Sequence, residues 1–174
     1  MAVKTNREAI RKELADLEAL LEAYKKQDPF WFFEPSDGVI DEVRRGILEK
    51  HIKPEDIPPK LDSQLDVLLS DSSYLGVCGG NQAGKTLVAT VKSLIKSTGE
   101  IPVALEKYRE KFKAIIDKAN SKVILGRVVG VDFKQLHRVV IPCWRKWTPK
   151  KYLKSGKWED SFSAQFETLT LYRG

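Results

Sequence analysis

Eight consecutive residues limit this chain more than any other feature. Gly79-Gly80-Asn81-Gln82-Ala83-Gly84-Lys85-Thr86 fits G-x-x-x-x-G-K-[ST] at every specified position. Glycines let a backbone close round an anion and turn successive N–H groups inward. A helix starting near Gly84 adds the positive end of its dipole. Such a loop needs a strand before it and a helix after it. Tyr74-Leu75-Gly76-Val77-Cys78 reads as the strand, and Leu87, Val88, Val91, Leu94 and Ile95 form the apolar stripe of the helix. Gly99 is placed to cap that helix, with Pro102 just beyond it. A chance match would arise on the order of once in a hundred chains of this length. The flanking elements argue against chance, and the expected ligands are ATP and Mg²⁺. Residues 79–86 would cradle the phosphates, with Lys85 on the β- and γ-phosphates as the catalytic lysine and the Thr86 hydroxyl on the metal.

Around this motif the pattern is that of an α/β protein. A helix is predicted from about Leu61 to Leu69, and another over Leu105, Tyr108, Phe112, Ile115 and Ile116. The run from Lys122 to Val129 reads as a buried strand. A third helix follows Asp132, with Phe133, Leu136, Val140, Trp144 and Trp147 on one face, and Pro142 must kink or interrupt it. Gln165 to Tyr172 alternates like a strand. Strands separated by helices predict a P-loop-type parallel sheet with flanking crossover helices. The expected division is a helical, aromatic and proline-rich segment over 1–60 and a partial ATPase domain over 61–174.

The first segment is predicted to be a helix. Thr5 and Glu8 fit a capping box, and Ile10, Leu14, Leu17, Leu21 and Tyr24 recur at heptad-like spacing. Two heptads fall short of a convincing coiled coil, so the helix packs on its own domain or on a partner. Asp28-Pro29 ends it. Four aromatics follow, Phe30 to Phe33, and they cannot all face one core. A short helix is expected over 39–50, before Pro54, Pro58 and Pro59 break the chain.

Charge is unevenly shared. Residues 101–174 carry a net +9 and residues 1–100 a net −3. Within 131–157 stand eight basic side chains against the single acid Asp132. Such a patch suits a polyanion, through release of counterions from each neutralised phosphate, or simply a soluble lysine-rich surface. Arg145, Lys146, Lys150, Lys151 and Lys154 are the candidate contacts to double-stranded DNA. Two cysteines and two histidines make a structural metal site or a disulfide framework improbable on number alone. No apolar run reaches the roughly 20 residues that span a bilayer, and no secretory signal opens the chain, so the expected address is the cytoplasm.

A phosphate loop binds but does not by itself hydrolyse quickly; an acid must hold Mg²⁺ and a second must orient water. Val128-Val129-Gly130-Val131-Asp132 ends an apolar run in an aspartate, but Phe133 follows and Asp132 stands where a helix cap is wanted. Capping is the simpler reading. The hydrolytic half is missing from the sequence.

Taken together, these segments resemble phage large terminase subunits, the motors that package DNA into capsids. Gly79 to Thr86 looks like their phosphate loop, and Asp28-Pro-Phe-Trp-Phe-Phe-Glu-Pro35 is similar to the segment ahead of their ATPase core. By that resemblance Gln64 would read adenine, and Arg127 is a possible counterpart of the arginine on the γ-phosphate. Ile124 to Asp132 resembles the strand after the loop, and Phe166 to Gly174 the start of a hairpin. The resemblance covers about 28–174 and implies a fragment whose magnesium-binding aspartate, catalytic glutamate and nuclease domain lie further on. It also implies a small terminase subunit and a portal protein as partners, a homo-oligomeric motor, and action in the host-cell cytoplasm from a phage or prophage gene. The alternatives are a helicase-type P-loop ATPase and a non-catalytic nucleotide- or DNA-binding module.

Overall fold

A computed structural model describes residues 2–36, 63–72, 75–77, 84–129 and 132–172, with side chains from residue 10 onward. The helix expected over 39–50 and the loop residues Gly79, Gly80, Asn81, Gln82 and Ala83 lie outside the described residues. Helix α1 spans Ala2–Gln27 and stops at Asp28, before Pro29, as the proline requires. It starts four residues earlier than the Thr5 capping box predicts, so Thr5 lies inside the helix. A 3₁₀ turn, Pro29–Phe32, follows directly. The aromatic run divides as expected: Phe30 and Phe33 are buried, while Trp31 and Phe32 are half-buried.

The core forms on helix α3, Lys85–Thr98. Val88, Val91, Leu94 and Ile95 recur at helical spacing and are all buried, each burial stabilising the fold by about 1.5–3 kcal/mol. Gly99 closes the helix in the left-handed conformation, φ +75°, and its N–H bonds to the Ile95 carbonyl. A side chain at Gly99 would crowd Ala119 and Asn120 on the next helix, so glycine also permits the close return. That return runs through a 3₁₀ stretch, Val103–Tyr108, into α4, Arg109–Ser121. Leu105 and Phe112 enter the α3 core from it.

Helix α2, Gln64–Leu69, packs on α3 and begins with a capping box. Ser63 Oγ accepts from the Asp66 N–H, and the Asp66 carboxylate accepts from the Ser63 N–H. Downstream, α5 (Phe133–Gln135), a π-helical turn (Leu136–Val140) and α6 (Ile141–Trp147) run together. Pro142 explains the π turn. It has no N–H for the Arg138 carbonyl and its ring crowds that carbonyl, so the helix widens and Ile141 N–H reaches back to Leu136. Phe133 consequently leaves the predicted common face and is exposed, while Trp144 and Trp147 pack on the core.

The parallel sheet predicted from the sequence is not formed by the described residues. What forms is a mostly helical assembly with one short antiparallel hairpin, β1 (Phe162–Ser163) and β2 (Thr168–Leu169), pairing Phe162 with Leu169 and Ser163 with Thr168. The strand expected over 165–172 thus shrinks to two residues, and 164–167 become the turn. Among the described residues, 75–77 and 123–129 have no strand partner. Strands of a parallel sheet are apolar because helices cover both faces and neighbours satisfy both edges. Val123 and Leu125 are instead 89% and 92% exposed. Among the described residues no helix is long and apolar enough to cross a membrane.

Candidate functional site

The described end of the Gly79–Thr86 motif is its helix junction. Gly84 adopts φ +74°, ψ 15°, a left-handed conformation that glycine takes without steric cost, and caps the N-terminus of α3. Its carbonyl accepts the first intrahelical bond, from the Val88 N–H at 2.9 Å. Lys85 and Thr86 are the first two helical residues, and both are half-buried. The N–H groups of this first turn lack intrahelical acceptors by construction, and the helix dipole points its positive end at the same place.

Gln64 meets this junction from α2. A methyl group on Gly84 would collide with Gln64 Nε2. The other end of the amide, Oε1, accepts from the Ser36 N–H at 3.2 Å, and the Leu65 N–H donates to the Ser36 carbonyl at 3.0 Å. One glutamine thereby joins the segment after the aromatic turn to the last glycine of the loop. Two sequence-nominated positions, separated by 20 residues, are brought into contact.

Lys92, which sequence reasoning passed over, fixes the far end of α2. Its ammonium donates to the carbonyls of Val67 at 2.5 Å and Ser70 at 2.6 Å, the acceptors that a helix C-terminus leaves open. Burial pushes the Lys92 ammonium down from its ordinary value, Lys96 adds to this, and Asp71 opposes it. The signal was present: Lys92 stands among Val88, Val91 and Ile95 on the apolar stripe, where a lysine needs a partner.

The other candidates lie apart from this junction. Asp132 caps α5, its Oδ1 accepting from the Gln135 N–H at 2.7 Å, which is the simpler of the two sequence readings. Arg127 is exposed on the segment 123–129, which forms neither helix nor strand. Among the basic residues, Arg145 pairs with Glu159. Lys151 reaches Glu100 at 2.6 Å and lies 4.7 Å over the Trp31 ring. Lys146 lies over Trp147, and Lys150 and Lys154 are exposed. Two of the five candidate DNA contacts are therefore committed to carboxylates of the chain itself.

Glu100 is the centre of that anchoring. It also accepts from Tyr152 Oη at 2.8 Å. Burial raises its carboxyl, but the hydrogen bonds from Lys151 and Tyr152 together hold it below its ordinary value. Asp28 behaves oppositely. Burial raises its carboxyl against the Lys150 N–H and Trp31, and its buried Oδ1 has no hydrogen-bond partner among the described residues.

Among the described residues no group of three or more His, Cys, Asp or Glu side chains converges to hold a metal ion. The Thr86 hydroxyl, one residue into α3, is the metal donor the motif offers. Comparison with family models, curated proteins and solved structures returns no match to this chain.

Proposed function

We propose that residues 79–86 bind the phosphates of Mg-ATP, and that the chain is the ATP-binding N-terminal part of a DNA-packaging motor of the large terminase kind. The observation that carries the reading is the Gly84 junction: a left-handed glycine opening α3, with Gln64 laid against it. Phosphate oxygens would be met by the N–H groups of the first turn, Lys85 would neutralise the β- and γ-phosphates, and Thr86 would hold Mg²⁺. Bound Mg²⁺ would supply charge neutralisation on those phosphates. Gln64 would read adenine through its amide. In this reading 75–77 and 123–129 are strands of a parallel P-loop sheet whose neighbours are not among the described residues. The apolar composition of the two segments is what suggests it.

The reading extends to hydrolysis, DNA and assembly. Because Asp132 serves as a cap, residues 1–174 are expected to bind ATP and release phosphate at no more than a trace rate. Lys146, Lys150 and Lys154 are the remaining candidates for duplex DNA. A small subunit, a portal protein and the host cytoplasm belong to the same proposal. Calorimetry tests its base: Mg-ATP binding by the wild type, reduced at least tenfold in affinity by Lys85→Ala. Equal affinity in the two proteins would overturn it. Gln64→Ala is expected to narrow the preference for ATP over GTP.

A further inference from the structure

Helix α1 carries an apolar stripe that the rest of the described chain leaves uncovered. Ile10, Leu14, Leu17 and Tyr24 are each 57–58% exposed, and Leu20 and Leu21 are also exposed. Their spacing of four and three residues places Leu14 and Leu21 at one core position of a heptad, and Ile10, Leu17 and Tyr24 at the other. The end of α1 is held by the Pro29–Phe32 turn and by the Asp28 N–H bonded to the Tyr24 carbonyl. The stripe is a finished surface without an occupant.

Charge beside the stripe selects the occupant. Two copies side by side in parallel would set Glu13 of one against Glu18 of the other, twice by symmetry, in the positions that flank a coiled-coil seam. Two antiparallel copies escape this clash. With Leu14 opposite Leu17 of the second copy, Ile10 falls opposite Leu21, and Arg11 falls beside Glu18 on both sides. The same register sets residue 4 against residue 27, so it overlaps the helices along nearly their whole length. Apolar register, charge and helix length agree on one arrangement.

We propose that α1 is a self-association surface, pairing antiparallel with α1 of a second copy of this chain about a two-fold axis near residues 15 and 16. Four apolar layers form its seam, and Arg11–Glu18 pairs flank it. The pairing is independent of nucleotide. With about two heptads buried the dimer is weak, with a dissociation constant on the order of 10–100 µM.

Sedimentation velocity on the 174-residue protein tests this without added nucleotide. Between about 1 and 200 µM the weight-average mass should move from one chain towards two. Leu14→Asp with Leu17→Asp should hold it at one chain, with circular dichroism reporting the helix content. Orientation is read from Glu18→Arg. An antiparallel pair then sets the introduced guanidinium against Arg11 and weakens at least fivefold, whereas a parallel pair loses its Glu13–Glu18 clash and tightens. Adding Arg11→Glu to Glu18→Arg should restore the wild-type association. A single-chain mass across the whole range, tightening by Glu18→Arg, or failure of the double exchange each overturns the proposal.

Discussion

Helices α1 and α3 carry comparable apolar stripes and meet opposite fates. In α3, Val88, Val91, Leu94 and Ile95 are buried against α2, α4 and α6. In α1, Ile10, Leu14, Leu17 and Leu21 stand in solvent. Periodicity is the same kind of signal in both cases. What differs is the connection: α3 ends at Gly99, whose left-handed turn folds the chain straight back, so that α4 covers the stripe. Helix α1 ends in a 3₁₀ turn that engages only its last residues. An amphipathic pattern states that a face is to be covered, and the connection decides whether the chain covers it itself.

That contrast breaks most easily at Leu94. Leu94→Ala removes a fully buried side chain and should cost about 2–5 kcal/mol by chemical denaturation. Leu17→Ala, measured on dilute protein, should stay within about 0.5 kcal/mol of wild type. Equal losses would mean that α1 is buried in solution and that the two helices do not differ.

Lys92→Met should destabilise by about 1–3 kcal/mol, because the Val67 and Ser70 carbonyls lose their donor. It should also lower ATP affinity more than Leu17→Ala does, since α2 carries Gln64 to the Gly84 junction. An unchanged melting temperature in Lys92→Met would show that water serves those carbonyls equally well.

The smallest effect is expected at the Glu100 anchor. Its carboxyl is held below the usual value, so the native state binds fewer protons than the unfolded chain in that range. The stabilisation is present above about pH 4.5, the ordinary glutamate value, and is lost as pH falls through the lowered native value. Glu100→Gln should reduce the acid-side decline in melting temperature, by an amount worth well under about 1 kcal/mol for so exposed a group. A steeper decline in the variant would contradict the assigned direction.

Legibility followed the range of the interactions. The bounds of α3 were readable because Gly84 and Gly99 act on adjacent residues, as were the stop before Pro29 and the Asp132 cap. Interruption at Pro142 was readable too, since a missing N–H acts within one turn. The π form of that interruption was not, because it depends on which carbonyl accepts the displaced bond. Pairing of 75–77 and 123–129 was illegible for a related reason. Apolar composition fits a buried strand, but pairing needs a neighbour that no local pattern specifies. At the candidate site the glycine–lysine motif was plain, while Lys92 and the Lys151–Glu100 anchor join residues far apart in sequence.

The π turn at 136–140 also has a rotational consequence. Each residue of an α-helix advances the side-chain direction by about 100°, and a π turn takes up one more residue than an α turn. The turn thus acts as a phase shifter between α5 and α6. It lets Phe133 point to solvent while Trp144 and Trp147 face the core and Arg145 and Lys146 face out. A chain shortened by one residue within 136–140 would keep the Pro142 interruption but lose that offset, so Phe133 and the two indoles could no longer hold their separate faces. The aim of the basic surface and the seating of the tryptophans are therefore a single degree of freedom, set by one wide turn.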